Sequence, residues 1–405
     1  FLQEEVELVL VMQLCFTQGI IPLRALLDLP LPILIWNSQL LRSLPADAGW
    51  DTILINSGVT GIPELTGALL RSGREFHFLS GHFEDPRVWR ELEQYITAAR
   101  ALKSLSRARV GVIGHPYKWM TDVMSGQLEA ARTFGVLCDH IEESELAARM
   151  RALEGDPQVQ RLAQSLQSRY RVRNLERETY LRSVRYALAT EQAVREHGVQ
   201  ALSFFEQGLL NEPAVGLTGA LGMSLLFEKN IPCTSEADLP TALLMLLQQQ
   251  IAGASTFLEH YGMDFEQHTA LMAHDSFGNL TLAAEPSELL IEPSIFYRGE
   301  AGYGAALRFR YRSGEVTLAS LFPGPAGAGC PYRLIAAEGS SLEFTPRPIP
   351  APQMLFRPDG GDINAFYERW CTFGGSHHLA GCYGRHGGVL RKLAALKRMD
   401  CALIP

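Results

Sequence analysis

No CxxC pair occurs in this sequence. Its cysteines, Cys15, Cys138, Cys233, Cys330, Cys371, Cys382 and Cys401, are scattered and odd in number. That pattern excludes a thiolate zinc site and a disulfide framework; it fits buried, reduced thiols and a cytoplasmic location. Neither GxGxxG nor GxxxxGK[ST] is present, so a dinucleotide or nucleoside triphosphate has no direct signal. Basic charge is also short: 36 Lys and Arg face 44 Asp and Glu, a net charge of -8. A chain that neutralises phosphates needs a basic face, so no nucleic acid is expected as partner. No uninterrupted apolar run approaches a membrane span. The apolar residues 6–11 are few, Gln13 follows closely, and neither a basic flank nor a small-residue cleavage site marks a signal peptide. No membrane partner is expected.

What is present is an ordinary globular composition, 47% apolar and 20% charged, spread over 405 residues. That length exceeds one compact core and implies two or three domains. Residues 6–11, 32–36, 110–114 and 136–138 are short apolar runs that read as strands, with 52–56 as a further run and a helix over 122–134 between two of them. Such alternation indicates parallel α/β sheets covered on both faces. Residues 147–198 are rich in Arg, Glu, Leu and Ala and read as one or two long helices. The α/β pattern resumes at 202–205, with a glycine-spaced helix over 214–227, a helix over 239–251, and strands at 255–258 and 270–273. Beyond Pro286, alternating segments at 305–311 and 315–321 suggest a hairpin about Ser313-Gly314. A strand at 333–337, a proline-rich loop over 346–358, helices at 363–372 and 389–399 and a segment at 379–383 beside the histidine pair complete the chain. The expected fold class is α/β: two parallel-sheet, Rossmann-like domains, 1–112 and 113–285, and a β-rich C-terminal domain, 286–405.

The chemistry gathers around Pro232–Ala242, where Glu236 and Asp238 sit between a short apolar run and a helical one. A loop from strand to helix holds acidic groups on a rigid frame within reach of a cleft. Asp238 or Ser235 is the natural helix cap. Glu259 and His274 each end a strand-like run, and His377-His378 follow Gly374-Gly375, where alternation would send the two rings to opposite faces. Taken singly, each of these is more often a cap or a hydrogen-bonded core group than a ligand. Together, two carboxylates and two imidazoles suit Mn²⁺, Co²⁺ or Mg²⁺ better than structural zinc. A divalent ion on a vicinal hydroxyl–carbonyl pair polarises the carbonyl, and flanking carboxylates can move a proton between neighbouring carbons. That is aldose–ketose isomerisation.

At these residues the chain resembles the L-arabinose isomerase/L-fucose isomerase family, nearer the arabinose branch. Residues 81–86 (GHFEDP) resemble its GHxxDP segment, and 122–139 the run into its second domain. Residues 235–238 (SEAD) resemble its GEGD motif, with Ala237 in place of Gly, and 255–261 (STFLEHY) its next acidic strand. Ala273-His274 and 374–378 (GGSHH) are similar to its histidine strand and C-terminal GGxHH motif. The resemblance implies a fucose/arabinose isomerase-like fold and a Mn²⁺-dependent interconversion of a free aldose and its ketose. It implies Glu236 and Glu259 as metal ligands and acid/base pair, with His274 and His378 completing the sphere. A homo-oligomer, trimer or hexamer, is implied as well, with Gln18 and His82 facing a neighbour's site. The family's opening strand has no counterpart, so a preceding strand is expected before Phe1. The rival readings are a non-catalytic sugar-binding or regulatory protein on the same frame, and a metal-dependent hydrolase or aldolase.

Overall fold

Alternate residues of the strand Ile33–Asn37 serve two different cores. Ile33 and Ile35 pack with Ile62, Leu65 and Leu69, while Leu34 and Trp36 pack with Leu79, Val88, Leu92 and Tyr95. A strand buried on both faces is the mark of a parallel sheet between helices. The sheet runs Val9–Val11, Ile33–Asn37, His77–Ser80, all parallel. These elements come from a computed structural model, which describes residues 5–295 and 301–404. The chain forms two compact units, Phe1–Lys103 with Gly388–Leu396, and Ser104–Gly387 with Lys397–Pro405.

In the first unit, residues 52–56 are not a strand. Residues 52–55 belong to the helix Trp50–Ile55, which Asn56 caps and the helix Gly58–Arg71 follows. A five-residue apolar run carries no period long enough to separate helix from strand. The 22 residues Trp50–Arg71 also meet, by length and composition, the test for a membrane-spanning helix. Counting uninterrupted apolar residues missed them, because Asn56, Ser57 and Glu64 break the run. Here the face bearing Ile62, Leu65 and Leu69 packs on the sheet instead. The strand His77–Ser80 also escaped the sequence reading.

The second unit contains a four-stranded parallel sheet in the order Leu137–Ile141, Arg109–Ile113, Ala201–Phe204, Cys233–Thr234. The expected helix over 122–134 starts only at Gln127, leaving 122–126 as loop. The region 147–198 divides into three helices, Glu143–Ala152, Pro157–Arg169 and Arg177–His197. The expected helix over 214–227 shortens to Ala220–Phe227, because Gly216 and Gly219 take φ of +56° and +79°. Gly222 does lie in it, where a Cβ would come within 3.1 Å of Ala187 Cα.

Six strands then close into an antiparallel ring: Gly314–Pro323, His378–Tyr383, Thr256–Asp264, Thr269–Ala273, Gln353–Pro358 and Tyr332–Leu342, the last pairing back to the first. Closure removes the free edges that an open sheet would present. Asp400–Ile404, absent from the sequence reading, adds in parallel to Tyr332–Leu342. Three expectations change here. The hairpin about 313–314 does not form: Ala301–Arg308 pairs with Leu290–Ile295, and Gly314–Pro323 with Tyr332–Leu342. The strand expected at 333–337 runs on to Leu342 and so includes Gly339, where a Cβ would meet Arg357 O at 2.2 Å. The proline-rich segment becomes a strand from Gln353, whose side chain binds the backbone of Arg347.

Candidate metal centre

Parallel sheets open their binding crevices beyond the carboxyl ends of the strands, at the point where strand order reverses. In the four-stranded sheet that reversal lies between Arg109–Ile113 and Ala201–Phe204. The segments leaving these ends carry Tyr117, Glu206 and Glu236, and all three line one cavity of about 330 Å³. Glu259, His274, Asp275, Ser276 and Phe277 line it as well.

Glu236 sits in a turn after Cys233–Thr234 whose backbone is left-handed at two consecutive residues, with φ of +59° at Glu236 and +53° at Ala237. Glycine adopts such angles freely and other residues at a cost. This accounts for the glycine of the GEGD pattern that Ala237 replaces. Asp238 caps the helix Leu239–Ala252, accepting from Thr241 N at 3.0 Å, which decides between the two expected caps. Its other oxygen lies 2.9 Å from His378 Nδ1.

The ring of strands supplies the other members. Glu259 is not at a strand end but inside Thr256–Asp264, directly opposite His378 on one side and Ala273 on the other. His274 follows Ala273 and is 5% exposed. Its Nδ1 lies 3.3 Å from the Asp275 carbonyl. Phe257 stands between His274 and His378, with both ring centroids at 4.6 Å.

All four side chains singled out in the sequence thus come together. Glu259, His274 and His378 form one group whose ligand atoms lie within 4.8 Å of one another, and Glu236, His377 and His378 form a second. His378 belongs to both, and its Nε2 is 3.1 Å from Glu236 Oε2. His377 does not point to the opposite face. It precedes the strand, so alternation does not govern it, and its ring centroid is 4.0 Å from that of His378. Its Nε2 lies 3.6 Å from Glu259 Oε1 and 3.9 Å from Glu236 Oε2.

Glu236 Oε2, His377 Nε2 and His378 Nε2 are buried without a hydrogen-bond partner. Buried polar atoms left unpaired are expensive, and each such group calls for an explanation. A carboxylate oxygen and two imidazole nitrogens turned toward one another suit a divalent cation, and this oxygen–nitrogen set without thiolate is that of Mn²⁺, Co²⁺ or Mg²⁺. The residues therefore fit a metal.

Burial and the nearby Glu236 raise the pKa of Glu259, against the pull of His378. Burial would lower His378, but the Asp238 and Glu236 carboxylates outweigh it and hold the ring well above its usual value. Burial pushes His274 well below its own.

Two acidic residues at this centre escaped the sequence reading. Asp122 accepts from Ser376 Oγ at 2.9 Å and from His377 N at 3.0 Å, and its Oδ2 is 2.6 Å from His377 Nδ1. Burial opposes its charge, but the bonds from His377 prevail and hold its pKa far below the carboxylate range. Glu206, just past the strand Ala201–Phe204, accepts from Ser235 Oγ at 2.6 Å and from Glu236 N at 3.1 Å. Burial, then the charge of Glu236, pushes it up to about 7.

Known proteins give the site a setting. Residues 254–400 match the family model of the L-arabinose isomerase C-terminal domain. The L-arabinose isomerase of Leuconostoc mesenteroides is 24% identical over 379 residues, covering 90% of this chain and 77% of that protein. Those of Bacillus subtilis and Geobacillus thermodenitrificans are 25% and 24% identical, covering 92% and 94% of this chain and 76% and 77% of theirs. With a likeness that runs through nine-tenths of its length, and a C-terminal region that matches their domain model, this chain is similar to the L-arabinose isomerases.

Proposed function

We propose that this protein is a metal-dependent aldose–ketose isomerase, an intramolecular oxidoreductase acting on a free sugar. The substrate is L-arabinose, giving L-ribulose, or a related pentose or deoxyhexose, and the route is an ene-diol. The observation that carries the reading is the meeting of Glu236, Glu259 and His274 at the wall of one cavity with the buried His378, whose unpaired Nε2 lies 3.1 Å from the unpaired Glu236 Oε2. These four side chains would hold Mn²⁺, with Co²⁺ or Mg²⁺ as alternatives. When bound, the ion supplies Lewis-acid polarisation of the carbonyl and acidifies the neighbouring C–H.

The protein's own groups account for the rest. Glu236 and Glu259 are the acid/base pair that takes a proton from one carbon and returns it to the next. The raised pKa of Glu259 suits a group that must hold a proton as well as release one. Asp238 fixes the His378 ring, and Phe204 and Phe277 give the cavity an apolar wall that would keep water from the reacting carbons. In this reading the protein is cytoplasmic and works as a homo-oligomer, a trimer or hexamer.

The test follows the sugar by NMR in D₂O with Mn²⁺ present. The expected result is deuterium exchange at C2 together with ketose formation, both abolished by chelator and by Glu236→Gln or Glu259→Gln. Binding without exchange would instead indicate a sugar-binding protein, and fragments would indicate an aldolase or hydrolase. Full rate in both variants would overturn the acid/base assignment.

A further inference from the structure

The turn that carries Glu236 is left-handed at two residues that are not glycine. Backbone of that kind persists only where its surroundings over-determine it. Four hydrogen bonds do so here. The Glu236 carbonyl accepts from Tyr117 N at 3.1 Å, and Ala237 N donates to the Phe204 carbonyl at 2.9 Å. The other two converge on one side-chain oxygen: Glu236 N donates to Glu206 Oε2 at 3.1 Å, and the Ser235 hydroxyl donates to it at 2.6 Å. Glu206 opens the short helix Glu206–Asn211 at the end of the neighbouring strand. Its carboxylate therefore ties two adjacent strand ends together at the residue whose side chain faces His378.

We propose that Glu206 is a positioning residue for the reaction, holding the Ser235–Glu236–Ala237 turn in the left-handed form that aims the Glu236 carboxylate at His378. Without this acceptor the Glu236 N–H loses its partner, and the turn can relax toward ordinary backbone angles. The Glu236 carboxylate then swings away from the imidazole it faces. A residue acting in this way needs an acceptor oxygen; it needs neither a negative charge nor contact with the sugar. The inference rests on the isomerase reading only in taking Glu236 as part of the working site.

The test compares Glu206→Leu with Glu206→Gln in the full chain. Gln keeps an oxygen where Oε2 stands and Leu has none. In calorimetric titrations with MnCl₂, affinity is expected to fall about tenfold or more in Glu206→Leu, the scale seen when the support of a metal ligand is removed. Glu206→Gln is expected to recover most of that loss. In turnover, kcat should follow the same order while KM for L-arabinose stays nearly constant. Should Glu206→Leu fold poorly, Ala237→Gly in the same chain relieves the strained backbone and is expected to restore both folding and part of the Mn²⁺ affinity. Unchanged Mn²⁺ affinity in Glu206→Leu overturns the proposal, and so does a Gln variant as impaired as Leu. A wild type without Mn²⁺ affinity overturns it too. A wild type that binds Mn²⁺ but isomerises no sugar defeats the isomerase reading alone, because the affinities still decide the role of Glu206.

Discussion

Asp238 and His378, 140 residues apart in sequence, are joined by a 2.9 Å contact between Oδ2 and Nδ1, while Asp238 Oδ1 accepts from Thr241 N at 3.0 Å. One carboxylate both starts a helix and orients an imidazole. With Nδ1 engaged by Asp238, Nε2 is the ring nitrogen turned to Glu236, 3.1 Å from its Oε2. Histidines in metal sites regularly give their other nitrogen to such a partner.

Asp238→Asn separates the two duties. Asn is about as good a cap as Asp, so the melting temperature should change little. Its amide NH₂ cannot accept from His378, so the ring must turn or change tautomer. Mn²⁺ affinity measured by calorimetry is expected to fall about 10- to 100-fold. An unchanged affinity would show that His378 needs no orienting partner.

Asp122→Ala removes the acceptor shared by Ser376 Oγ, His377 N and His377 Nδ1. Partly buried donors left unpaired cost about 1–3 kcal/mol. Urea unfolding should show a loss of that size, with Asp122→Asn losing less because it retains an acceptor.

Away from the site, His197 bridges two carboxylates, Nδ1 to Asp139 at 3.1 Å and Nε2 to Glu145 at 3.1 Å. The bond to Asp139 is the main cause that raises the His197 pKa, against burial, and the same bond lowers that of Asp139. The histidine contribution is therefore full below its unfolded value of about 6.5 and fades as pH rises through the higher folded value. The aspartate contribution is present above its unfolded value of about 3.9 and fades as pH falls below it. His197→Gln should accordingly lower the melting temperature more at pH 6 than at pH 9, as scanning calorimetry at the two pH values would reveal.

Ala237→Gly relieves a left-handed angle that costs Ala about 1–2 kcal/mol, and gives back about 0.5–1 kcal/mol through the greater freedom of Gly in the unfolded chain. The net expectation is a small rise in the urea midpoint with the Mn²⁺ affinity retained. A fall would mean that the packing of the buried Ala237 methyl outweighs the strain.

Most of the parallel strands and the four ligand candidates were legible because each carries a local mark: an apolar run, a strand-to-helix acid, glycines before a histidine pair. Asp122 was hidden inside a segment whose apolar spacing reads as helix, although the helix begins five residues later. Glu206 was passed over because one Glu after a strand has no local signal, and its bond to Glu236 spans 30 residues. The false hairpin at 313–314 has the same origin. Gly314–Pro323 finds its partners at 332–342 and 378–383, and pairing at that distance is decided by the closed ring rather than by the turn.

Glu259 stands across from His378 on one neighbouring strand and from Ala273, next to His274, on the other. The geometry of the centre is therefore written in inter-strand hydrogen bonds, not in distances along the chain. Shifting any of these strands by one residue would turn its whole row of side chains to the other face. Insertions in the connections between the strands leave that row where it is. Drift in length is tolerable between ligands and intolerable within the few residues on either side of them, so a single-residue deletion scan across 256–264 and 378–383 should mark out the centre more sharply than a scan of the loops that separate these strands.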